Sequence, residues 1–274
     1  MKTLLVFLLP LMSFSLHSQS IKVMSYNIRL DVASDGVNQW SNRTEKLPAL
    51  IQKYDPDLIG LQEAMHHQLM GILKSLPQYG YIGVARDDGK EKGEYSAILY
   101  RKDRFEVLWQ KTTWLSETPD VPGSKSWDAA ITRVLTRGQF KDKKTNKEFL
   151  YYNTHFDHIG KEARKNSAMI IIKTIKEENK NNIPVVVTGD FNSQTSEDPY
   201  RTIATSNVVV DARPENTTQG TFCTFSVSGP PCVLIDYIFH SKNVKRKDYK
   251  VITDNDGTNY PSDHLPVQAE LTFD

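Results

Sequence analysis

Two cysteines in 274 residues are too few for a disulfide scaffold. Charge of one sign is missing too. The 34 Lys plus Arg face 33 Asp plus Glu, which excludes a histone-like or polybasic nucleic-acid binder. No apolar run reaches the ~20 residues of a membrane span. No internal repeat, low-complexity segment or Pro/Gly/Ser-rich linker divides the chain. HExxH, CxxC, the Walker loop and the GxSxG elbow are all absent, which removes support for zinc-protease, P-loop and serine-hydrolase chemistry. What is present is a globular composition. Hydrophobic residues make up 39%, with 12 Tyr, 11 Phe and 4 Trp, enough for a sizeable core.

The N-terminus reads as a secretory signal peptide over residues 1–20. Lys2 precedes an apolar stretch at residues 4–12, followed by a Ser-rich segment with small residues at Ser18 and Ser20. No Cys follows the apolar core, so a lipid anchor is not indicated. Its removal takes away one base and no acid, leaving the bases equal to the 33 acids of an exported, periplasmic or extracellular chain. In an oxidising compartment Cys223 and Cys232 could close a small loop across a Gly-Pro-Pro turn, or stand as two unpaired thiols.

Residues 21–274 read as one domain in which short β-rich runs alternate with a few helical ones. Strands are expected at 21–28, 58–62, 184–188, 235–239 and 267–273. Hairpins are expected from 95–100 with 105–109 and from 131–140 with 149–156. Helices are expected at 42–54, capped by Ser41 or Asn42, and at 162–176. In the second hairpin, period-2 alternation sets Phe149, Tyr151, Asn153 and His155 on one face. Many hairpins with several helices argue for α+β or layered α/β rather than a doubly wound sheet.

The informative pattern is polar. Asn27, Glu63, the Asn153–His158 run, Asp190 with Asn192, Asp236, and Asp263-His264 all stand at or inside the ends of apolar strands. An ionised acid there is costly unless paired or metal-bound. Six such events imply a shared cleft. Asn, Asp and Glu are hard oxygen ligands that suit Mg²⁺, or Mn²⁺, rather than zinc. Together with two histidines they fit phosphoester hydrolysis, in which cationic groups neutralise phosphate oxygens while a carboxylate orients water.

The ordered motifs MSYNIR, LQEA, NTHFDH, TGDFNS, IDYIF and SDHLPV resemble the endonuclease/exonuclease/phosphatase superfamily, the deoxyribonuclease I-like group, from Val23 to Phe273. Residues 29–43, 114–119 and 126–128 further resemble a branch of exported bacterial members. The resemblance implies a four-layer sandwich of two packed mixed β-sheets flanked by helices. It implies Glu63 as principal Mg²⁺ ligand, helped by Asn27 and Asp263. Asp190 would orient or deprotonate water, with Asn192 positioning it. His264 would contact phosphate with Asp236 fixing its ring, and His155 would bind phosphate or assist the leaving group. Arg133, His158, Arg164 and Trp127 are further candidates for substrate contact. His66 and His67 read as an exposed helix start.

Departures from the family narrow the substrate. The Cys-Asp-Arg element of inositol phosphatases is replaced by Pro231-Cys232-Val233, and no apolar hairpin tip like that of sphingomyelinases is visible. Asn27-Ile28-Arg29 and His155 look closer to deadenylases and deoxyribonucleases than to abasic-site enzymes. The expected partner is a small phosphoester or a nucleic-acid end, with no membrane span and no oligomeric state implied. Competing readings are a 3′–5′ exonuclease on RNA ends, a non-catalytic phosphate-binding module on the same fold, and a secreted carbohydrate-binding β-sandwich.

Overall fold

The computed structural model describes residues 20–273; residues 1–19, most of the segment read as a signal peptide, lie outside it. The first half contains β1 (Ile21–Asn27), α1 (Lys46–Tyr54), β2 (Leu58–Gln62), α2 (His66–Ser75), β3 (Tyr79–Ile82) and β4 (Ile98–Arg101). It continues through β5 (Phe105–Trp114), β6 (Val134–Asp142), β7 (Glu148–His155), α3 (Lys161–Glu178) and β8 (Val185–Asp190). The chain closes with α4 (Asp198–Ala204), β9 (Val209–Asp211), β10 (Asp236–Ser241), β11 (Val244–Val251) and β12 (Val267–Phe273).

The strands form two mixed six-stranded sheets, ordered β11-β12-β1-β2-β4-β3 and β5-β6-β7-β8-β10-β9. Alternation along each strand divides its side chains between two cores. In β1, Val23 joins Leu58, Phe149, Tyr151, Val186 and Ile238 between the sheets. Its neighbour Met24 turns outward to pack with Leu47, Ile51, Leu69 and Ile72 of α1 and α2. On the far side, Leu150, Tyr152 and Val187 meet Ile171 and Ile175 of α3 and Ile203 of α4. The order of layers is therefore helix, sheet, sheet, helix, as expected.

Two local expectations are corrected. The segments 95–100 and 105–109 do not form a hairpin. β4 pairs with β2 and β3 in one sheet, whereas β5 pairs with β6 in the other. A tight polar turn marks a reversal of the chain, but it does not say whether the next strand pairs with the previous one or crosses to the opposite sheet. The helix expected from residue 42 starts at Lys46, and neither Ser41 nor Asn42 caps it; both lie in a short 3₁₀ turn, Trp40–Asn42. The cause is Arg43, fully buried between the rings of Trp40 and Phe225. It donates to the carbonyls of Ile28, Arg29, Asn38 and Pro261, which holds the chain out of the helix at this point.

Candidate active site

Strand register converts scattered polar residues into one row. β7 and β8 are parallel with His155 opposite Asp190, and β8 and β10 are antiparallel with Asp236 opposite Asp190. His155, Asp190 and Asp236 thus stand side by side at one end of the second sheet. In the facing sheet β1 and β2 run parallel with Asn27 opposite Gln62, so Glu63 follows at the same end. Glu63 (φ 59°), Asn192 (φ 44°) and Arg29 (φ 57°) all adopt left-handed backbone just past a strand. That conformation is costly for Glu and Arg and marks a constrained site.

The side chains form a connected set. Asn27 Nδ2 donates to both Glu63 Oε1 and Asp190 Oδ2, each at 3.0 Å, joining the two sheets. Asp190 Oδ1 accepts the backbone N–H of Asn192 at 2.9 Å, and Oδ2 lies 3.3 Å from His155 Nε2 and 3.7 Å from His264 Nε2. His264 Nδ1 meets Asp236 Oδ2 at 2.9 Å, while the Asp236 N–H is bound by Thr221 Oγ1. Phe222 packs on the His264 ring with centroids 5.0 Å apart. Asn192 Nδ2 is 3.0 Å from His155 Nε2 and donates to Phe156 O.

The protonation states follow from these neighbours. Burial, reinforced by Asp236, pushes the Asp190 carboxyl up to about 7 against the opposing pull of His264. Burial alone would discharge His264, but Asp236 and Asp190 outweigh it and hold the imidazolium well above the ordinary histidine range. His155 is driven the other way by burial and by Arg133 and Arg86, so it is neutral. Two histidines flanking one carboxylate are therefore set to opposite charge states.

The donor set fits a hard divalent cation. The carboxylates of Glu63 and Asp263 converge on a single positive group, the Arg29 guanidinium, at 4.0 and 3.8 Å. Both are hard oxygen donors, which suit Mg²⁺ or Mn²⁺. Asp190, Asp236 and His264 also come close enough to hold an ion. However, His264 Nδ1 is engaged by Asp236 and its Nε2 faces Asp190, so this trio reads as a hydrogen-bonded chain.

These groups open on a cavity of about 340 Å³ lined by Glu63, Asp190, Asn192, His155, Asp263 and His264. Arg133 and His158, both sequence candidates, line it as well. Arg164 and Trp127 do not. Arg164 is buried on α3 and donates to Asp157 O. Trp127 is 38% exposed on the loop between β5 and β6, where its neighbour Asp128 accepts the N–H groups of Glu162 and Ala163 at the start of α3. Sequence reasoning missed Arg29, Glu94 and Phe222 as lining residues. Glu94 was findable, because an acid directly before an apolar strand is the same pattern that exposed the others.

The model of the endonuclease/exonuclease/phosphatase family matches residues 24–264. A solved mannosyl-6-phosphatase of Bacteroides thetaiotaomicron is 41% identical, with TM-score 0.88 over 93% of this chain and 100% of that one. An endonuclease/exonuclease/phosphatase from Bacteroides vulgatus is 39% identical, with TM-score 0.88 over the same shares. Among curated proteins, nocturnin of Xenopus laevis is 22% identical over 95% of this chain and 76% of its own length.

Proposed function

Because the chain belongs to the endonuclease/exonuclease/phosphatase family, whose members are phosphoesterases and nucleases, we propose that it is an exported, Mg²⁺-dependent phosphomonoesterase acting on a sugar phosphate. One observation carries the reading: hydrolytic groups from both sheets meet in a cavity of about 340 Å³, the size of a single small ligand. The likeness to a mannosyl-6-phosphatase over all of that chain supports the choice of substrate class. Near-neutral charge supports it too, since capture of polymeric nucleic acid draws on clustered Lys and Arg.

Asp190, fixed by Asn192 and Asn27, holds the attacking water and accepts its proton as the oxygen bonds to phosphorus. His264, kept in place by Asp236, and His155 contact the non-bridging oxygens and offset their charge as it builds. The bond from phosphorus to the sugar oxygen breaks and that oxygen takes up a proton, so one water is divided between phosphate and alcohol. A Mg²⁺ ion held by Glu63, Asn27 and Asp263 would supply Lewis-acid polarisation of the phosphoryl group.

Phosphate release from mannose 6-phosphate with Mg²⁺ tests this directly. EDTA should abolish it, and Glu63→Ala should lower it by about 10³-fold. Wild-type activity in Glu63→Ala would sink the mechanism, and preferential trimming of RNA 3′ ends would replace the substrate class with the exonuclease reading. Tight phosphate binding without turnover would favour the non-catalytic module. Export is checked by fractionation and N-terminal sequencing, with a mature start near residue 21 expected.

A further inference from the structure

Arg133 lies just before β6, is 5% exposed and lines the catalytic cavity. Its Nη2 lies 3.3 Å from His158 Nδ1, whereas Nη1 and Nε are buried with no hydrogen-bond partner. Two acids beside it, Glu94 and Asp157, are already engaged. Glu94 is clamped by Arg86 through both oxygens, at 2.6 and 2.7 Å. Asp157 accepts the N–H groups of Ile131, Ile159 and Gly160, and its Oδ2 stays 3.9 Å from Arg133 Nε. Arg86 thus neutralises the carboxylate that would otherwise capture Arg133.

A buried guanidinium with unused donors is expensive, and a site retains one where a ligand completes it. The ligand of this cavity is a phosphoryl group. A terminal phosphate differs from a bridging one by one further anionic oxygen and close to one further charge at neutral pH. We propose that Arg133 is the specificity-determining residue of this site: its guanidinium, which lines the cavity and keeps unpartnered donors, binds the third non-bridging oxygen of a terminal phosphate, so that monoesters are favoured over diesters. This deepens the phosphomonoesterase reading and rests on it.

The test compares kcat/KM for p-nitrophenyl phosphate and bis-p-nitrophenyl phosphate, with Mg²⁺, in wild type, Arg133→Met and Arg133→Lys. Wild type should prefer the monoester. Arg133→Met should lose monoester activity about 10–100-fold more than diester activity, and inhibition by inorganic phosphate should weaken in parallel. Arg133→Lys keeps the charge but loses the planar donor array, and should fall between. If Arg133→Met fails to fold, as judged by circular dichroism and Tm, the shifted ratio of Arg133→Lys decides. Equal losses on both esters would overturn the role of Arg133. A diester preference in wild type would instead overturn the phosphomonoesterase reading.

Discussion

At the level of single residues, the site depends on hydrogen bonds that cannot be replaced by size alone. Asp236 does not line the cavity; it orients His264 and stabilises its charge through the 2.9 Å contact. Asp236→Asn should therefore lower kcat by about 10²-fold or more with little change in KM, measured by steady-state kinetics. Beneath the row of His155, Asp190 and Asp236, Asn153 joins the sheets. Its Nδ2 donates to Leu61 O and Ala97 O, and its Oδ1 accepts from Gln62 Nε2 and Thr188 Oγ1. Gly60 makes room for this network, since a Cβ there would lie 2.1 Å from Thr188 Oγ1. Asn153→Ala removes four buried hydrogen bonds and should cost about 3 kcal/mol or more in urea unfolding, at unchanged m-value.

At the level of elements, α3 is held by residues distant in sequence. Its first N–H groups are satisfied by Asp128, whose carboxyl those bonds, Ala163 foremost, hold below the usual carboxylate range. A depressed carboxylate contributes stability above its unfolded value near 4 and loses it as pH falls through the lower folded value. Asp128→Ala should thus reduce Tm at pH 7, and the difference from wild type should vanish as the pH falls below the folded value. A difference that persisted there would contradict the capping role. Strand identity was legible because apolar alternation is a local property, and β2 and β12 fall where the residues alone put them. Pairing was not. The β4–β5 crossover depends on which sheet completes each edge, and the late start of α1 on Arg43 meeting, among other carbonyls, that of Pro261, 218 residues away.

For the molecule as a whole, four layers bring β1, β2, β7, β8 and β10 to one end of the sandwich. The loop that carries Phe222 onto His264 is closed by a disulfide between Cys223 and Cys232. A loop of nine residues is worth about 2–3 kcal/mol in the chain-entropy account. Reduction, or Cys223→Ser with Cys232→Ser, should lower Tm and raise KM by loosening the Phe222 wall. An unchanged KM with a lowered Tm would make the bridge purely structural.

The sequence by itself determined the family. Hard oxygen ligands and histidines at strand ends, in the order of the six motifs, mark a phosphoesterase of the endonuclease/exonuclease/phosphatase family, because residue type and alternation are local properties. Tertiary structure decided how these residues are used. Register set His155, Asp190 and Asp236 in one row, the Asn27 amide tied Glu63 to Asp190 across the two sheets, and Arg86 occupied Glu94 so that Arg133 kept unpartnered donors. Charge state depends on burial and on partners far away in the chain, and only the folded arrangement supplies those.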